Sequence, residues 1–163
     1  MYVNYSLPPF SKFSSVTTTS DASICRGIRV SIDKNKGKVS VRPKRSLLLQ
    51  FEDLAEKVDW LELSLELSKS DWLSCRTIFL RYRAKSSKMM KVHPALRFSY
   101  KNGFYDHFAD DAHQMDVASL EYTSSFSLSR GLLTDVKCIS LHLFFESRDN
   151  LFELDDLVLS GIK

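Results

Sequence analysis

The segment Val58–Leu67 constrains the fold of this chain more than any other part of the sequence. Leucine occupies every second position from 61 to 67, and the positions between hold Trp60, Glu62, Ser64 and Glu66. This is the two-residue period of a β-strand that buries one face and exposes the other. The segment therefore predicts an amphipathic strand whose polar face carries a tryptophan followed by two acids.

Short apolar segments recur about every ten residues along the rest of the chain, joined by polar turns. They are Ile24–Ile32, Lys38–Val41, Ser46–Phe51, Val58–Leu67, Thr77–Ala84, Ala95–Lys101, Ser119–Ser127, Val136–Phe145 and Leu151–Leu159. Regular spacing of this kind is typical of a sandwich or barrel. The sequence predicts an all-β fold, a two-sheet antiparallel β-sandwich with little helix. Only Phe51–Lys57 competes, as one or two helical turns.

The chain of 163 residues is expected to form a flexible leader followed by one domain. Residues 1–22 contain a tract of serine and threonine that is too polar and too simple to bury a core, so we expect them to be poorly ordered. Residues 23–163 are expected to form a single β-sandwich domain. Asp33–Gly37 and Lys101–Gly103 are predicted to be hairpin turns, because Asn and Gly tolerate positive φ angles. The second hairpin would join Leu96–Tyr100 to Phe104–Phe108.

Charge and hydropathy bear on the possible partners of the protein and on its location in the cell. The net charge of +3 is small, so we expect no nucleic-acid partner, and the basic segments are predicted to be solvated turns. No segment approaches the roughly 18 apolar residues of a membrane span. The first residues lack the basic start and apolar core of a signal peptide. We therefore expect a cytoplasmic protein, with export by another route still open.

Three cysteines, Cys25, Cys75 and Cys138, lie far apart with no CxxC spacing. Two interpretations remain open at this point. The thiols could all be reduced, as in an intracellular protein, or one disulfide could leave a third thiol free.

The polar positions of four predicted strands suggest a ligand-binding face. If the strands near residues 58–67, 77–84, 95–101 and 136–145 share a sheet, their outward side chains lie together. The candidate ligand-binding residues are Trp60, Glu62, Arg81, Arg83, Arg97, His142 and Phe144. Aromatic rings can cover the apolar face of a sugar while charged groups bond its hydroxyls. The alternative is that the same charges are ordinary cross-strand pairs on a solvated face.

No catalytic motif is present, so we expect a protein that is not an enzyme. The sequence lacks GxSxG, Walker and GxGxxG patterns. Tyr105–His113 contains two histidines and three aspartates that could bind a metal or transfer protons, but their spacing fits no known motif and favours a polar loop. Glu62 and Glu66 would lie about 13 Å apart on a strand. Glycoside hydrolysis needs carboxylates about 5–10 Å apart, so this pair is too far apart to perform it.

The C-terminal segment Phe152–Leu159, FELDDLVL, resembles the closing strand of galactose-binding-like jelly-roll domains, a superfamily that includes many carbohydrate-binding modules. The segments WLELSLEL and TIFLRYRA are also similar to strands of these modules, and the resemblance spans roughly residues 45–160. It implies a jelly-roll sandwich. The apolar pattern of the closing strand changes phase at Asp155–Asp156, which predicts a β-bulge there.

The resemblance implies a non-catalytic carbohydrate-binding module that recognises a glycan or polysaccharide on one sheet face. The alternative is a β-sandwich that binds a protein partner or forms a homodimer without a sugar ligand. Many members hold a structural calcium with an acid of the closing strand, and Asp155 matches that position. The usual early segment is missing, and Gln50–Asp53 is the nearest candidate. We therefore expect no cofactor, with calcium at Asp155 as the single possible exception.

Overall fold

The computed structural model describes residues 2–163, which form two antiparallel sheets of seven strands each. The strands are β1 (Tyr2–Ser6), β2 (Val16–Thr18), β3 (Asp21–Cys25), β4 (Ile28–Ile32), β5 (Lys38–Pro43), β6 (Leu47–Glu52), β7 (Leu61–Leu67), β8 (Thr77–Ser86), β9 (Met90–Tyr100), β10 (Gly103–Phe108), β11 (His113–Met115), β12 (Leu120–Ser127), β13 (Cys138–Phe145) and β14 (Asn150–Ile162). Helical structure among these residues is limited to α1 (Lys69–Trp72) and two 3₁₀ turns, Phe10–Lys12 and Arg130–Leu133.

The two sheets differ in which strands they contain. The front sheet has the order β10-β9-β13-β7-β4-β3, and β11 also pairs with β9. The back sheet has the order β12-β8-β14-β6-β5-β2, and β1 pairs with β14. The prediction of a two-sheet antiparallel sandwich with little helix is confirmed.

The core lies between the sheets and is built from alternate residues of each strand. The leucines at 61, 63, 65 and 67 of β7 are all buried, and so are Ile139, Leu141 and Leu143 of the neighbouring β13. The back sheet contributes Leu80 and Tyr82 of β8. This alternation is what the period of Val58–Leu67 predicts.

The expectation of a flexible leader over residues 1–22 is corrected for residues 2–22. Strand β1 pairs with the last strand, from Tyr2 opposite Ile162 to Ser6 opposite Val158. Phe13 is buried in the core with 6% of its surface exposed, and β2 pairs with β5. Local composition did not indicate these contacts because their partners are distant in sequence. Met1 lies outside the described residues.

Two predicted turns have different outcomes. Lys101–Gly103 forms the predicted hairpin, with Gly103 paired to Tyr100. Asp33–Gly37 is a turn with positive φ at Asn35 and Gly37, but it joins β4 of the front sheet to β5 of the back sheet. The prediction of a hairpin there is therefore wrong, because the chain crosses between sheets.

The predicted bulge and the possible helix also have different outcomes. The register of β14 shifts between Leu154 and Asp156, which confirms the bulge. Residues 53–57 contain no helix, and the short helix is instead α1, which buries Trp72. Among residues 2–163, none of the helices has the length and apolar character needed to cross a membrane.

Candidate functional site

The front face, defined as the outer surface of the front sheet, contains five of the seven predicted ligand-binding residues. They are Trp60, Glu62, Arg97, His142 and Phe144. Trp60 precedes β7 by one residue and is half exposed, and the alternation places it on the side of Glu62. Register brings the other four together, because Phe144 lies opposite Glu62 and His142 lies two residues before it.

Arg81 and Arg83 do not belong to this group, and their assignment to the same face is corrected. Both lie on β8, which pairs with β12 and β14 in the back sheet. Their exposed side chains therefore project from the outer surface of the back sheet, on the side of the sandwich opposite the front face. The chain changes sheets between β7 and β8 through α1, so strands that follow one another in sequence are not neighbours here.

One end of the front face is aromatic. Phe104 and Phe108 of β10 are exposed, and the ring of Phe108 lies 5.6 Å from that of Phe144. The Phe144 ring stacks on His142 at 5.6 Å with an interplanar angle of 17°. Ala95 lies between Phe108 and His142 in register and is buried. The result is an apolar surface bordered by polar side chains.

Arg97 is held in a fixed position within this aromatic end. Its Nε and a terminal nitrogen donate to the two carboxylate oxygens of Asp106, at 2.7 and 2.8 Å. The guanidinium carbon lies 4.1 Å from the centroid of the Phe104 ring, a cation–π distance. The hydrogen bonds that Arg97 donates to Asp106 raise the pKa of Arg97 above its usual value. A planar, bidentate pair of this kind is rigid enough to position a ligand hydroxyl.

The other end of the front face is a polar groove of about 270 Å³. Strands β3, β4, β7 and β13 form it, and its polar lining includes Ser23, Arg29, Ser64, Glu66, Ser140 and His142. Arg29 is paired with Asp21 at the edge of the sheet. Hydroxyl and charged groups in a shallow groove are suited to binding a polar ligand.

A chain of hydrogen bonds links Glu62, His142 and Ser140 across two strands. The Nδ1 atom of His142 lies 2.9 Å from Glu62 Oε2, and its Nε2 atom lies 2.8 Å from Ser140 Oγ. Glu62 and His142 are buried, although register places them on the front face. His142 therefore forms part of the floor of the groove, and together with Glu62 it orients Ser140, which also lines the groove.

The polar segment Tyr105–His113 does not form one site. Asp106 points to the front face and bonds Arg97, whereas His113 is buried beside Tyr82 with a 2.7 Å contact from Nδ1 to the hydroxyl. Burial lowers the pKa of His113 below its usual value of 6.5. Residues 2–163 contain no group of three or more His, Cys, Asp or Glu side chains that could hold a metal ion.

Asp155 and the cysteines have simple surroundings. The Asp155 carboxylate accepts a hydrogen bond from the Ser119 hydroxyl at 2.8 Å, and calcium at this residue stays a prediction. Within the described part of the chain, Cys25, Cys75 and Cys138 are free thiols. Burial raises the pKa of the Cys75 and Cys138 thiols.

Sequence reasoning did not assign several residues of this face, including Phe104, Asp106, Phe108, Arg29, Ser64 and Ser140. A usable signal exists for the first three. The two-residue loop of the hairpin fixes the register, so that Asp106 must lie opposite Arg97 and Phe104 opposite Ser99. The serines have no such signal, because serine at an outward position is common.

Several solved structures with a similar fold are carbohydrate-binding modules. The CBM22-1 xylan-binding domain of Paenibacillus barcinonensis Xyn10C is similar with a TM-score of 0.56 at 14% identity, over 93% of this chain and 96% of that domain. The family 29 module CBM29_1 of Piromyces equi has a TM-score of 0.55 at 10% identity, over 99% of this chain and 91% of its own. A CBM4 structure has a TM-score of 0.55 at 13% identity, over 76% and 89%.

The chain therefore has the jelly-roll fold of carbohydrate-binding modules, as the closing strand predicted. No protein-family model matches the sequence, and no curated protein matches it in sequence. At these identities the likeness is one of fold.

Proposed function

We propose that this protein is a non-catalytic carbohydrate-binding module that binds a polysaccharide along its front face. The observation that carries the proposal is the continuity of two surfaces. The aromatic end, with Phe104 and Phe108, adjoins the polar groove through Ser140, which lies opposite Arg97 in register. A glycan has the same duality, because its pyranose rings are apolar on their faces and carry hydroxyls at their edges.

The structural neighbours support this proposal. Three of them are described as xylan-binding domains, and others are named as carbohydrate-binding modules. The direction in which a polysaccharide chain would lie follows from the residues of this protein. Phe108, Ala95, His142, Ser64 and Arg29 lie in register from strand to strand, so the groove and the aromatic end form a row across the sheet.

Phe104→Ala tests the proposal most directly. The intact protein should give hits on a glycan array, and affinity electrophoresis in gels containing the bound polysaccharide should give its Kd. Phe104 is exposed, so its loss should leave folding intact. Loss of a ring stacked on the ligand costs about 1–3 kcal/mol, or a Kd roughly fivefold to 150-fold higher. Phe79→Ala is the matched control, because Phe79 is an exposed phenylalanine on the outer surface of the back sheet. It should bind as the intact protein does.

Arginines give a second matched pair. Arg97→Ala should weaken binding several-fold, whereas Arg81→Ala on the back sheet should not. Trp60→Ala should also weaken binding if the polysaccharide extends past the start of β7. Absence of any array hit, or equal effects of Phe104→Ala and Phe79→Ala, would contradict the proposal. A dimer in solution that Phe104→Ala dissociates would favour self-association instead.

A further inference from the structure

Two buried residues, Glu62 and His142, decide whether the hydroxyl of Ser140 in the groove donates or accepts a hydrogen bond. Glu62 is acceptor-only as a carboxylate, and its Oε2 lies 2.9 Å from His142 Nδ1. The hydrogen between these atoms must therefore be on Nδ1. In a neutral imidazole the other nitrogen, Nε2, is then an acceptor.

Ser140 supplies the hydrogen that this acceptor needs. Its Oγ lies 2.8 Å from Nε2, so the Ser140 hydroxyl donates to His142. A serine hydroxyl has one hydrogen and two lone pairs. With its hydrogen committed inside the protein, Ser140 can offer a ligand only lone pairs.

Two more groups of the groove have the same character. The Ser23 hydroxyl donates to the backbone carbonyl of Cys25 at 3.1 Å, so its remaining capacity is as an acceptor. The exposed Glu66 carboxylate lies opposite Ser140 in register and can only accept. Ser64 also lines the groove, and a serine hydroxyl whose hydrogen is not committed inside the protein can both donate and accept.

Arg29, on the β4 side of the groove, is a donor and is paired with Asp21. We infer that the part of the groove formed by Ser140, Ser23 and Glu66 recognises its ligand by accepting hydrogen bonds from free hydroxyl groups, and that it discriminates against O-acylated forms of the same glycan. This inference rests on the proposed function. An ester at the contacting oxygen removes the donated hydrogen and places an acceptor carbonyl against Ser140, Ser23 and Glu66. Those acceptors would lose water without gaining a donor, which is unfavourable.

The tautomer of His142 can be tested without any ligand. Long-range ¹H–¹⁵N NMR correlation of the intact protein at about pH 8, above the roughly 6.5 at which free imidazole titrates, identifies the protonated nitrogen. We expect the hydrogen on Nδ1 and a bare Nε2. A hydrogen on Nε2 would overturn the inference, because Ser140 would then accept from His142 and keep its own hydrogen for a ligand.

Binding to matched polysaccharides tests the selectivity. The probes are xylan and glucomannan, each in acetylated and alkali-deacetylated form, together with any glycan that the array identifies and its acetylated derivative. The deacetylated form should bind with a Kd at least about tenfold lower. Ser140→Ala should remove most of this preference, whereas Ser64→Ala should change affinity without changing the ratio. Phe104→Ala should weaken both forms by a similar factor.

The outcomes distinguish the inference about selectivity from the proposed function. Equal binding of the acetylated and deacetylated forms, or a preference for the acetylated form, overturns the inference and leaves the proposed function standing. An unchanged preference in Ser140→Ala also overturns it. Failure of every glycan to bind the intact protein overturns the proposed function, and the inference with it.

Discussion

The pair Arg97–Asp106 should contribute measurable stability, because its geometry is unlike that of the other surface ion pairs. Two hydrogen bonds of 2.7 and 2.8 Å join the side chains, of which 22% and 16% are exposed. The pair Arg81–Glu121 on the back sheet has one contact of 3.4 Å and side chains that are 49% and 44% exposed. The two pairs therefore differ in geometry and in solvent screening but not in chemistry.

The expected coupling free energy follows from these differences. Unit charges about 4 Å apart attract by about 4 kcal/mol at an effective dielectric constant near 20, before desolvation and side-chain ordering reduce the gain. Exposed pairs retain about 0.2–1 kcal/mol, whereas hydrogen bonds to charged groups contribute about 1.5–3 kcal/mol. For Arg97–Asp106, which lies between these cases, we expect about 1.5–2 kcal/mol. For Arg81–Glu121 we expect about 0.5 kcal/mol or less.

Double-mutant cycles measure both numbers. Each cycle needs the two alanine variants and the double variant, unfolded in urea and followed by circular dichroism and by the fluorescence of buried Trp72. High salt should reduce the coupling of the back pair more than that of the front pair. If Arg97–Asp106 couples no more strongly than Arg81–Glu121, the guanidinium is solvated and mobile, and the argument for a rigid binding surface fails.

Two other perturbations test the fold. Phe13→Ala should lower the free energy of unfolding by about 3 kcal/mol, because a nearly buried ring is lost. Tyr2→Ala, at an exposed position of β1, should cost less than about 0.5 kcal/mol in the same urea titration. Equally small losses in both variants would support a flexible leader instead. Because the pKa of His113 is lowered by burial, the unfolded chain binds more protons just below pH 6.5, so stability should be retained above that pH and lost as the pH falls through it. His113→Gln should flatten this dependence, and an unchanged slope would contradict it.

The sequence predicted where the strands lie better than it predicted which strands pair with one another. The alternation in β7 predicted which side chains point into the core, because the period of a strand is a local property. It does not show which sheet β8 joins, and for that reason the prediction that Arg81 and Arg83 share the front face is wrong. Sheet membership depends on contacts between residues far apart in sequence, such as Val158 opposite Arg81.

The N-terminal segment shows the same limit. Residues 2–6 pair with the last strand of the chain across more than 150 positions, and Val3 and Tyr5 pack against the core. Composition measures what a segment can bury alone. It does not measure the hydrogen bonds that an existing sheet edge offers to an added strand.

The candidate site was predictable where register was predictable. The Lys101–Gly103 turn fixes Asp106 opposite Arg97 through a two-residue loop, so that pair could have been read from the sequence. The contact between Glu62 and His142 required knowing that β7 and β13 are neighbours, although they lie 80 residues apart. Their outward parity was right, but their burial was not predictable, because it depends on the surrounding side chains.

Both outer surfaces of the sandwich carry arginine, acid and exposed aromatic side chains, so composition alone does not distinguish a binding surface from a solvated one. The two surfaces differ in how firmly hydrogen bonds hold their side chains in place. On the front face Arg97 is fixed by two hydrogen bonds, and Ser140 is oriented by His142, which Glu62 orients in turn. Groups that are already ordered lose little conformational entropy when a ligand binds, whereas exposed pairs such as Arg81–Glu121 must be both ordered and desolvated. Preorganisation therefore favours the front face, and it does so through contacts that the protein maintains without a ligand.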